Sequence, residues 1–288
     1  MNPDWFGARS WQLAHGRTLT LGPKAVIMGV LNVTPDSFSD GGDFVETPDA
    51  VFRAMKMVEQ GASIIDVGGE STRPGADAVD GDTERARVLP IIECLAKETD
   101  AIISIDTYRA ETATQAVQAG AHIVNDVWGC QREPDIAQVA ADTGAGLCIM
   151  STRRARDVLP DLLEDAAQFL TKSLKIAGQA GVDEHKIVID PGFGFASTID
   201  HDIPILNRLE KLHQLGFPLL VGTSRKRFLG SITGQEATDR GVATAATSVV
   251  ARQKGAAIFR VHDIVENRDA LAVADALIAQ SLGWPADD

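Results

Sequence analysis

The stretch Ala25-Val-Ile-Met-Gly-Val-Leu31 is a short, nearly continuous apolar run without alternation of polar and apolar residues. A strand with one face in water alternates, whereas a parallel strand buried on both faces reads as a continuous run. Seven more runs of this kind, rich in Val and Ile, lie at residues 63–67, 102–105, 122–125, 147–150, 187–189, 219–222 and 257–260. The sequence therefore predicts eight buried parallel strands.

Helix signals lie between these runs. Thr47-Pro48 reads as an N-cap residue followed by a proline at the first helical position, where proline is tolerated. Asp263 and Glu266 have the spacing of a capping box and predict the start of the last helix. Residues 161–180 and 239–254 are also helical in pattern. Strands and helices therefore alternate along the chain.

This alternation predicts the architecture. Eight strand-then-helix units without a repeat or low-complexity tract favour an α/β protein with one closed (β/α)8 TIM barrel, over a doubly wound sheet with a second domain. We expect residues 1–288 to form a single domain. The N-terminal segment differs, because Trp11-Gln-Leu and Thr18-Leu-Thr-Leu flank His15-Gly16-Arg17. It predicts a short β-hairpin that covers the bottom of the barrel.

The composition of the 288-residue chain excludes several classes of protein. The net charge of -13 opposes binding to a nucleic-acid backbone or an anionic membrane, since both favour a basic face. No apolar run approaches the roughly 20 residues that span a bilayer. The first fifteen residues lack the basic start and apolar stretch of a signal peptide. We therefore expect a cytoplasmic protein that binds neither nucleic acid nor membrane. Its three cysteines show no CxxC spacing, which indicates reduced, buried thiols.

Polar side chains follow seven of the eight runs. In such barrels the active site lies at the carboxyl ends of the strands. The strand-end residues are Asn32, Asp66, Asp106, Asn125, Asp190, the segment Ser224-Arg225-Lys226 and the segment Arg260-Val261-His262. Any single Asp or Asn also suits a strand-end turn, so that interpretation stays open. Lys226, Arg260 and His262 have no turn preference, and the whole set predicts a ligand with a hydrogen-bonding heterocycle at one end and negative charge at the other.

Two glycine-rich loops support this interpretation. Gly68-Gly-Glu-Ser-Thr-Arg-Pro-Gly75 offers backbone N–H groups, hydroxyls and a guanidinium, which suit phosphate oxygens. Asp190-Pro-Gly-Phe-Gly-Phe195 places two aromatic residues beside a carboxylate, although a turn with two core phenylalanines is an alternative. Neither GxxxxGK[ST] nor GxGxxG occurs in the sequence.

The chain resembles the dihydropteroate synthases. Met28-Gly-Val-Leu-Asn-Val-Thr-Pro-Asp-Ser-Phe-Ser-Asp-Gly-Gly42 is similar to the first signature of that family, and residues 68–75 are similar to the second. Further blocks fall in the family's order: Ser104-Ile-Asp-Thr-Tyr108, Asn125-Asp126, Asp190-Pro-Gly-Phe-Gly-Phe195, Ser224-Arg-Lys226 and Arg260-Val-His-Asp263. The resemblance runs from about Pro23 to the last helix. It implies condensation of 6-hydroxymethyl-7,8-dihydropterin pyrophosphate with 4-aminobenzoate.

The resemblance also implies residue roles. Asp106, Asn125, Asp190 and Lys226 match the pterin pocket, in which carboxylates and an amide pair with the ring donors. Arg260 and His262 match the pyrophosphate contacts, and Asn32 matches a position associated with Mg2+. The implied catalytic residues are Asp106, Asp190, Lys226 and Arg260. Met150, Gly222 and Ser224 are expected to complete the substrate-binding set.

The 4-aminobenzoate site is expected on the same rim. Thr72, Arg73 and the Asp36 loop resemble two segments that close over it, while Phe193 and Phe195, with the stem of Lys226, are expected to hold the benzene ring. Sulfonamides mimic 4-aminobenzoate in this family, so competitive inhibition is expected. The resemblance further implies a homodimer.

The sequence departs from the family pattern in three places. Ser151-Thr-Arg-Arg154 stands where many members read Met-His-Met, Ser197 stands where a lysine is common, and Arg227 stands where a serine is common. These departures concern 4-aminobenzoate recognition. Two alternative functions remain: a methyltransferase that takes a methyl group from a reduced folate, and a homologue that binds pterin without catalysis.

Overall fold

Eight parallel strands close into a barrel in the computed structural model, which describes residues 3–34, 47–70, 79–195 and 202–284. The strands are β3 (Val26–Asn32), β4 (Ile64–Gly68), β5 (Ile102–Asp106), β6 (Ile123–Asp126), β7 (Gly146–Met150), β8 (Ile187–Asp190), β9 (Leu219–Val221) and β10 (Ala256–Val261), and β10 pairs with both β9 and β3. Each strand overlaps one of the predicted apolar runs. The predicted (β/α)8 barrel is confirmed.

Helices connect successive strands and cover the outside of the barrel. They are α1 (Thr47–Glu59), α2 (Gly81–Glu98), α3 (Ala110–Gln118), α4 (Asp135–Thr143), α5 (Leu162–Gln179), α6 (Asp202–Asn207), α7 (Arg227–Thr233), α8 (Gly241–Gln253) and α9 (Ile264–Leu282). Successive residues of a strand point to opposite faces, so each strand feeds two apolar layers. Ile65 and Ile103 belong to the layer between strands and helices, whereas Ile64 and Ile102 belong to the barrel interior.

The N-terminal hairpin closes the bottom of the barrel. Its strands, β1 (Arg9–Gln12) and β2 (Thr18–Leu21), pair antiparallel. Trp11, Leu13 and Leu21 are buried in the same cluster as the barrel interior. The indole Nε1 of Trp11 donates to the carbonyl of Lys186 at 2.8 Å, so its one polar atom is satisfied. The predicted hairpin and its position are confirmed.

A buried arginine ties the N-terminal segment to the barrel from below. The guanidinium of Arg252, on α8, donates to the carbonyls of Gly22 at 2.7 Å, Pro23 at 3.0 Å and Ala256 at 3.1 Å. Its Nε bonds Asp275 of α9 at 2.5 Å. Since Arg252 is fully buried, these partners replace the water that its charge loses.

The predicted capping box at the last helix is wrong in its hydrogen bonds, although α9 begins where it was expected. Asp263 occupies the N-cap position but makes no side-chain cap bond. Its carboxylate instead accepts from the guanidinium of Arg225, at 2.5 Å and 3.1 Å. An ion pair with two bonds is stronger than a bond to a neutral N–H, which explains the exchange of partners.

The cysteine prediction is largely confirmed. The three thiols are free; Cys130 and Cys148 are buried and Cys94 is half-buried. Burial raises the pKa of Cys130 and of Cys148 well above its usual value, which keeps both thiols protonated. In the described part of the chain, no helix combines the length and apolar character needed to cross a membrane.

We predict that Trp11→Ala lowers the free energy of unfolding by about 3 to 5 kcal/mol, because it opens a cavity at the barrel bottom. Urea denaturation measures this loss. Phe52→Ala is the control, since Phe52 is 70% exposed, and it should change the free energy of unfolding by less than about 1 kcal/mol. Equal losses for the two variants would show that the hairpin does not seal the barrel.

Candidate active site

The strand register brings the predicted polar residues to one rim. Asn32 pairs with Gly68, Gly68 with Asp106, and Asp106 with Asn125. On the other side of the barrel, Met150 pairs with Asp190. The interior-facing positions continue upward in steps of two, so Asp66 lies above Ile64 and points inward. The interior is therefore apolar below and polar at its mouth.

Arg260 joins two buried carboxylates at the centre of this mouth. Its Nε donates to Oδ2 of Asp66 at 2.6 Å and its Nη2 donates to Oδ2 of Asp106 at 2.7 Å. The amide of Asn125 donates to the same Asp66 oxygen at 3.1 Å. The other oxygen of Asp66, Oδ1, is buried without a hydrogen-bond partner among the described residues. A buried acceptor of this kind is costly, which favours a ligand or water beside it.

Charge is not balanced in this group, and the pKa of Asp106 reflects that. Burial raises the pKa of Asp106 to about 7; Arg260 opposes the rise, and the Asp66 carboxylate adds to it. Two carboxylates share one guanidinium, so full ionisation of both leaves a net negative charge in a place without solvent. The carboxyl of Asp106 is therefore near its titration point at neutral pH.

Asp190 and Lys226 face each other across the mouth. Oδ1 of Asp190 accepts from the N–H of Gly192 at 2.7 Å, and burial raises the pKa of Asp190 to about 6. Burial, together with the charge of Arg260, lowers the pKa of Lys226 to about 8, while Asp190 opposes that shift. Both groups are mainly ionised at neutral pH, but each lies within about one to two pH units of losing its charge.

Lys226 is held against an aromatic ring. Its Nζ lies 4.4 Å from the ring centroid of Phe195, a cation–π distance. Its side chain passes so close to Gly194 that an added Cβ would collide with it, and Gly194 has a φ of +76°. Glycine is required here for both reasons. The loop after β8 thus supplies a carboxylate and a ring on either side of the lysine.

The turn that carries Lys226 is fixed by hydrogen bonds with Thr244 and Arg240. Arg225 adopts a left-handed φ of +58°, and its N–H donates to Oγ1 of Thr244 at 3.2 Å. The guanidinium of Arg240 donates to the carbonyls of Arg225 at 3.0 Å and Lys226 at 3.3 Å. These bonds stabilise a conformation that a non-glycine residue rarely adopts.

Ser224 and His262 form a pair on the same rim. The Oγ of Ser224 lies 3.0 Å from Nδ1 of His262 and accepts from the backbone N–H of His262 at 3.1 Å. The pair joins the end of β10 to the turn after β9. It therefore ties the position of His262 to that of Lys226.

The structure thus brings together Asp106, Asn125, Asp190, Lys226 and Arg260. Gly222 keeps the mouth open, because a Cβ there would lie 4.0 Å from Oδ2 of Asp190 and 3.8 Å from the Cβ of Arg260. Met150 and Phe195 pack with Val127 in a small apolar cluster that Trp128 borders. Thr72, Arg73, Asp36 and Ser197 lie outside the described residues.

Phe193 differs from its neighbour Phe195. It is 1% exposed and belongs to the core between the strands and the helices. The structure therefore supports the alternative interpretation of a core phenylalanine for Phe193, and the expected role in holding a benzene ring falls on Phe195.

The sequence analysis missed three features. Asp66 was recognised as a strand end but given no role, although its interior-facing position on β4 was a usable signal. Arg153 was left unassigned, yet it is 3% exposed and donates to the carbonyl of Gly192 at 3.2 Å. A cluster of Glu70, Glu84 and Arg109 also borders the mouth, with Arg109 to carboxylate distances of 2.8 Å and 3.1 Å.

We predict that Asp66→Asn lowers the pKa of Asp106 below its value of about 7, because the substitution removes a like charge and keeps Arg260. NMR titration of the aspartate carboxyl carbons measures the shift. Asp269→Asn, on exposed α9 surface next to Arg268, is the control and should leave the pKa of Asp106 unchanged. An unchanged pKa in Asp66→Asn would contradict the proposed coupling.

Comparisons with known proteins show the family to which the chain belongs. The pterin binding enzyme family matches residues 28–262. The dihydropteroate synthase of Bacillus subtilis is 46% identical over 272 residues, covering 93% of this chain and 94% of that protein. The crystal structure of the Clostridium difficile dihydropteroate synthase, in the presence of pteroic acid, is 45% identical with a TM-score of 0.86 and covers 89% of this chain and 98% of that one. The Xanthomonas albilineans dihydropteroate synthase with 4-aminobenzoic acid is 39% identical with a TM-score of 0.88, covering 94% and 99%. The chain therefore belongs to the pterin binding enzymes, and among them to the dihydropteroate synthase family.

Proposed function

We propose that the barrel mouth condenses 6-hydroxymethyl-7,8-dihydropterin pyrophosphate with 4-aminobenzoate, releasing pyrophosphate and giving 7,8-dihydropteroate for folate biosynthesis. The observation that carries this proposal is the set of Asp106, Asn125, Asp190, Lys226 and Arg260 around one mouth, in which the two carboxyls and the amide are buried. Its carboxylates and amide suit the donors of a pterin edge, and its cations suit an anionic leaving group. The solved relatives with pteroic acid and with 4-aminobenzoic acid support the same pair of ligands.

The pterin is proposed to bind deepest, where solvent is excluded. Asp190 is held by Gly192 through Oδ1, which directs its Oδ2 toward the space above Gly222. That oxygen accepts from donors at the ring edge, and the Asn125 amide pairs with the same edge. Lys226 donates to the ring carbonyl or to a ring nitrogen. Low dielectric strengthens each of these bonds.

The reaction is proposed to begin with cleavage of the bond between the pterin methylene carbon and the pyrophosphate oxygen. The bonding electrons leave with pyrophosphate, and the methylene becomes cationic. The carboxylates of Asp106 and Asp66 are proposed to stabilise this charge electrostatically. The amine nitrogen of 4-aminobenzoate then forms the new carbon–nitrogen bond and loses a proton. Water must be excluded, because it would hydrolyse the cation.

The leaving pyrophosphate is proposed to meet Arg260 and His262. Arg260 already bonds Asp66 and Asp106 through Nε and Nη2, so it links the pterin end of the site to the leaving group. The Ser224 hydroxyl orients His262 at 3.0 Å. A guanidinium and an imidazole on one side of the mouth neutralise charge as it develops on the phosphate oxygens.

A magnesium ion is proposed as the cofactor. The described residues contain no group of three or more His, Cys, Asp or Glu that could hold a metal. Asn32 lies at the rim, and a Cβ at its neighbour Gly68 would lie 3.8 Å from its Oδ1. One amide oxygen fits an ion held mainly by substrate oxygens and water, as Mg2+ often is. When bound, the ion would neutralise pyrophosphate charge.

The 4-aminobenzoate ring is proposed to lie against Phe195 and the stem of Lys226. The guanidinium of Arg154 lies 4.5 Å from the centroid of the Phe195 ring, and Arg227 at the start of α7 is exposed. The guanidinium of Arg154 therefore borders this side of the mouth, and Arg227 directly follows Lys226 in the chain. Together with Thr72 and Arg73, they are candidates for contact with the carboxylate of the substrate.

The protein is further proposed to act as a cytoplasmic homodimer. Exposed aliphatic side chains on α8 and α9 support self-association, since Val242 is 81% exposed and Val273 is 62% exposed. Light scattering coupled to size-exclusion chromatography measures the mass in solution.

Incorporation of radiolabelled 4-aminobenzoate into dihydropteroate tests the function. We predict that Lys226→Ala and Asp190→Ala each reduce kcat/KM by about 10² to 10⁴-fold while the barrel stays folded. Lys172→Ala, an exposed lysine on α5, is the matched control and should retain full activity. Circular dichroism verifies folding of all three variants.

The same assay separates the alternatives. Tight pterin binding by the wild-type protein without dihydropteroate formation would favour a catalytically silent homologue. Methyl transfer from a reduced folate in place of condensation would favour the methyltransferase. Near wild-type turnover by Lys226→Ala or Asp190→Ala would remove that residue from the site.

We predict that kcat/KM is greatest between about pH 6 and pH 8. Asp190 accepts most strongly when ionised, and protonation turns one of its acceptors into a donor, so activity falls as the pH drops below its pKa of about 6. Lys226 donates as a cation, so activity falls as the pH rises above its pKa of about 8. Arginine does not titrate in this range, and Lys226→Arg should therefore lose the alkaline decline whatever its absolute rate. An unaltered alkaline decline in that variant would assign it to another group.

A further inference from the structure

The loop after β7 runs beneath the loop that carries Asp190. The N–H of Ser151 donates to the carbonyl of Asp190 at 2.8 Å, and the N–H of Arg153 donates to the carbonyl of Phe195 at 3.3 Å. The Ser151-Thr-Arg-Arg154 segment is the part of the strand-end set that departs most from the family pattern. Its backbone nevertheless brackets both ends of the loop from Asp190 to Phe195.

The side chain of Arg153 fills the space behind that loop. Its Nη1 donates to the carbonyl of Gly192 at 3.2 Å and its Nη2 to that of Pro191 at 3.5 Å. Both residues are buried. A buried carbonyl must find a donor, and here one guanidinium serves two consecutive carbonyls.

Gly192 links Arg153 to Asp190 at the mouth of the barrel. Its carbonyl accepts from Arg153, while its N–H donates to Oδ1 of Asp190 at 2.7 Å. Gly192 has a φ of +77°, and an added Cβ would collide with the Ser151 carbonyl. The turn is therefore fixed on both sides, and rotation of either peptide would break the bond to Asp190.

Acidic side chains hold Arg153 in place. Asp165 of α5 lies 3.9 Å from its Nε, accepts from the N–H of Leu159 at 2.9 Å and forms an ion pair with Arg156. Asp202, at the start of α6, accepts from the N–H of Gly194 at 3.0 Å. Burial lowers the pKa of Arg153, and the negative charges of Asp202 and Asp165 oppose that shift.

We propose that Arg153 is a positioning residue that fixes the Pro191–Gly192 turn, and through it directs Asp190 and Phe195 toward the substrates. This inference rests on the proposed function. Arg153 lies behind the loop and does not touch the mouth itself. Without its guanidinium, the Pro191 carbonyl loses its donor and the Gly192 carbonyl keeps only the 3.4 Å bond from the N–H of Phe195. The turn then relaxes toward other donors at the expense of the Gly192–Asp190 bond.

A pH readout distinguishes positioning from general stabilisation. Asp190 is faced by Lys226 from the turn after β9, by Arg260 from β10, by Arg153 from the loop after β7 and by Cys148 within β7. The Gly192 bond and the charge of Arg153 both lower the pKa of Asp190. Loss of either raises that pKa, so the acidic decline of kcat/KM moves to higher pH in the Arg153 variants.

The experiment compares Arg153→Met and Arg153→Lys with the same substitutions at Arg252. Arg252 is equally buried and also donates to backbone carbonyls, but at the opposite end of the barrel. Calorimetry with 6-hydroxymethylpterin measures binding, and the 4-aminobenzoate assay gives the pH profile. We expect Arg153→Met to bind pterin about tenfold more weakly and Arg153→Lys at least about threefold more weakly, because bonds from a charged donor are lost. The Arg252 variants should bind as wild type does.

Each outcome decides the proposal. If Arg153→Met does not fold, the comparison of Arg153→Lys with Arg252→Lys decides alone. Less than a threefold loss in the Arg153 variants that fold, an unmoved acidic decline, or an equal loss in the Arg252 variants would overturn the positioning role while the proposed function stands. A wild-type protein that neither binds 6-hydroxymethylpterin nor forms dihydropteroate would overturn both.

Discussion

The structure depends on how one guanidinium accommodates two buried carboxylates at the mouth of the barrel. Arg260 spans from β10 to Asp66 and Asp106 on β4 and β5. Removing Arg260 would leave two buried carboxylates without their cation, at a cost typical of a broken buried ion pair, whereas removing one carboxylate would leave the other paired with Arg260. Burial raises the pKa of Asp106 to about 7; the charge of Arg260 opposes this rise, and the second carboxylate, Asp66, adds to it. The mouth is thus held in a charge state that a bound ligand can shift.

The same strand periodicity builds the apolar floor and the polar mouth. Interior residues recur every second position, so Ile64 and Asp66 share one strand face, as do Ile102 and Asp106. The lower layers are sealed by Trp11 and the rest of the hairpin. The floor therefore supplies the rigidity and low dielectric that shift the pKa values above it, which links packing at the bottom to chemistry at the top.

Sequence reasoning reached the fold and most of the site because both depend on local pattern. Continuous apolar runs mark buried parallel strands, and strand-end polar residues converge once a barrel closes. It failed where partners compete in three dimensions. Asp263 occupies the N-cap position but bonds Arg225, and Phe193 faces the core while Phe195, two residues on, borders the mouth. Arg153 sits in a polar segment typical of a surface loop, and only its contacts reveal its burial.

Arginine and lysine side chains have different roles in this acidic protein. Arg153, Arg240 and Arg260 bind carbonyls or carboxylates with two or more nitrogens, and a guanidinium keeps its charge when buried. Such groups are suited to fixing loops permanently. Lys226 is different, because burial brings its pKa to about 8. Among the described residues of the mouth, Lys226 is thus a cation whose charge can titrate near neutral pH, while Arg240 fixes the turn that carries it.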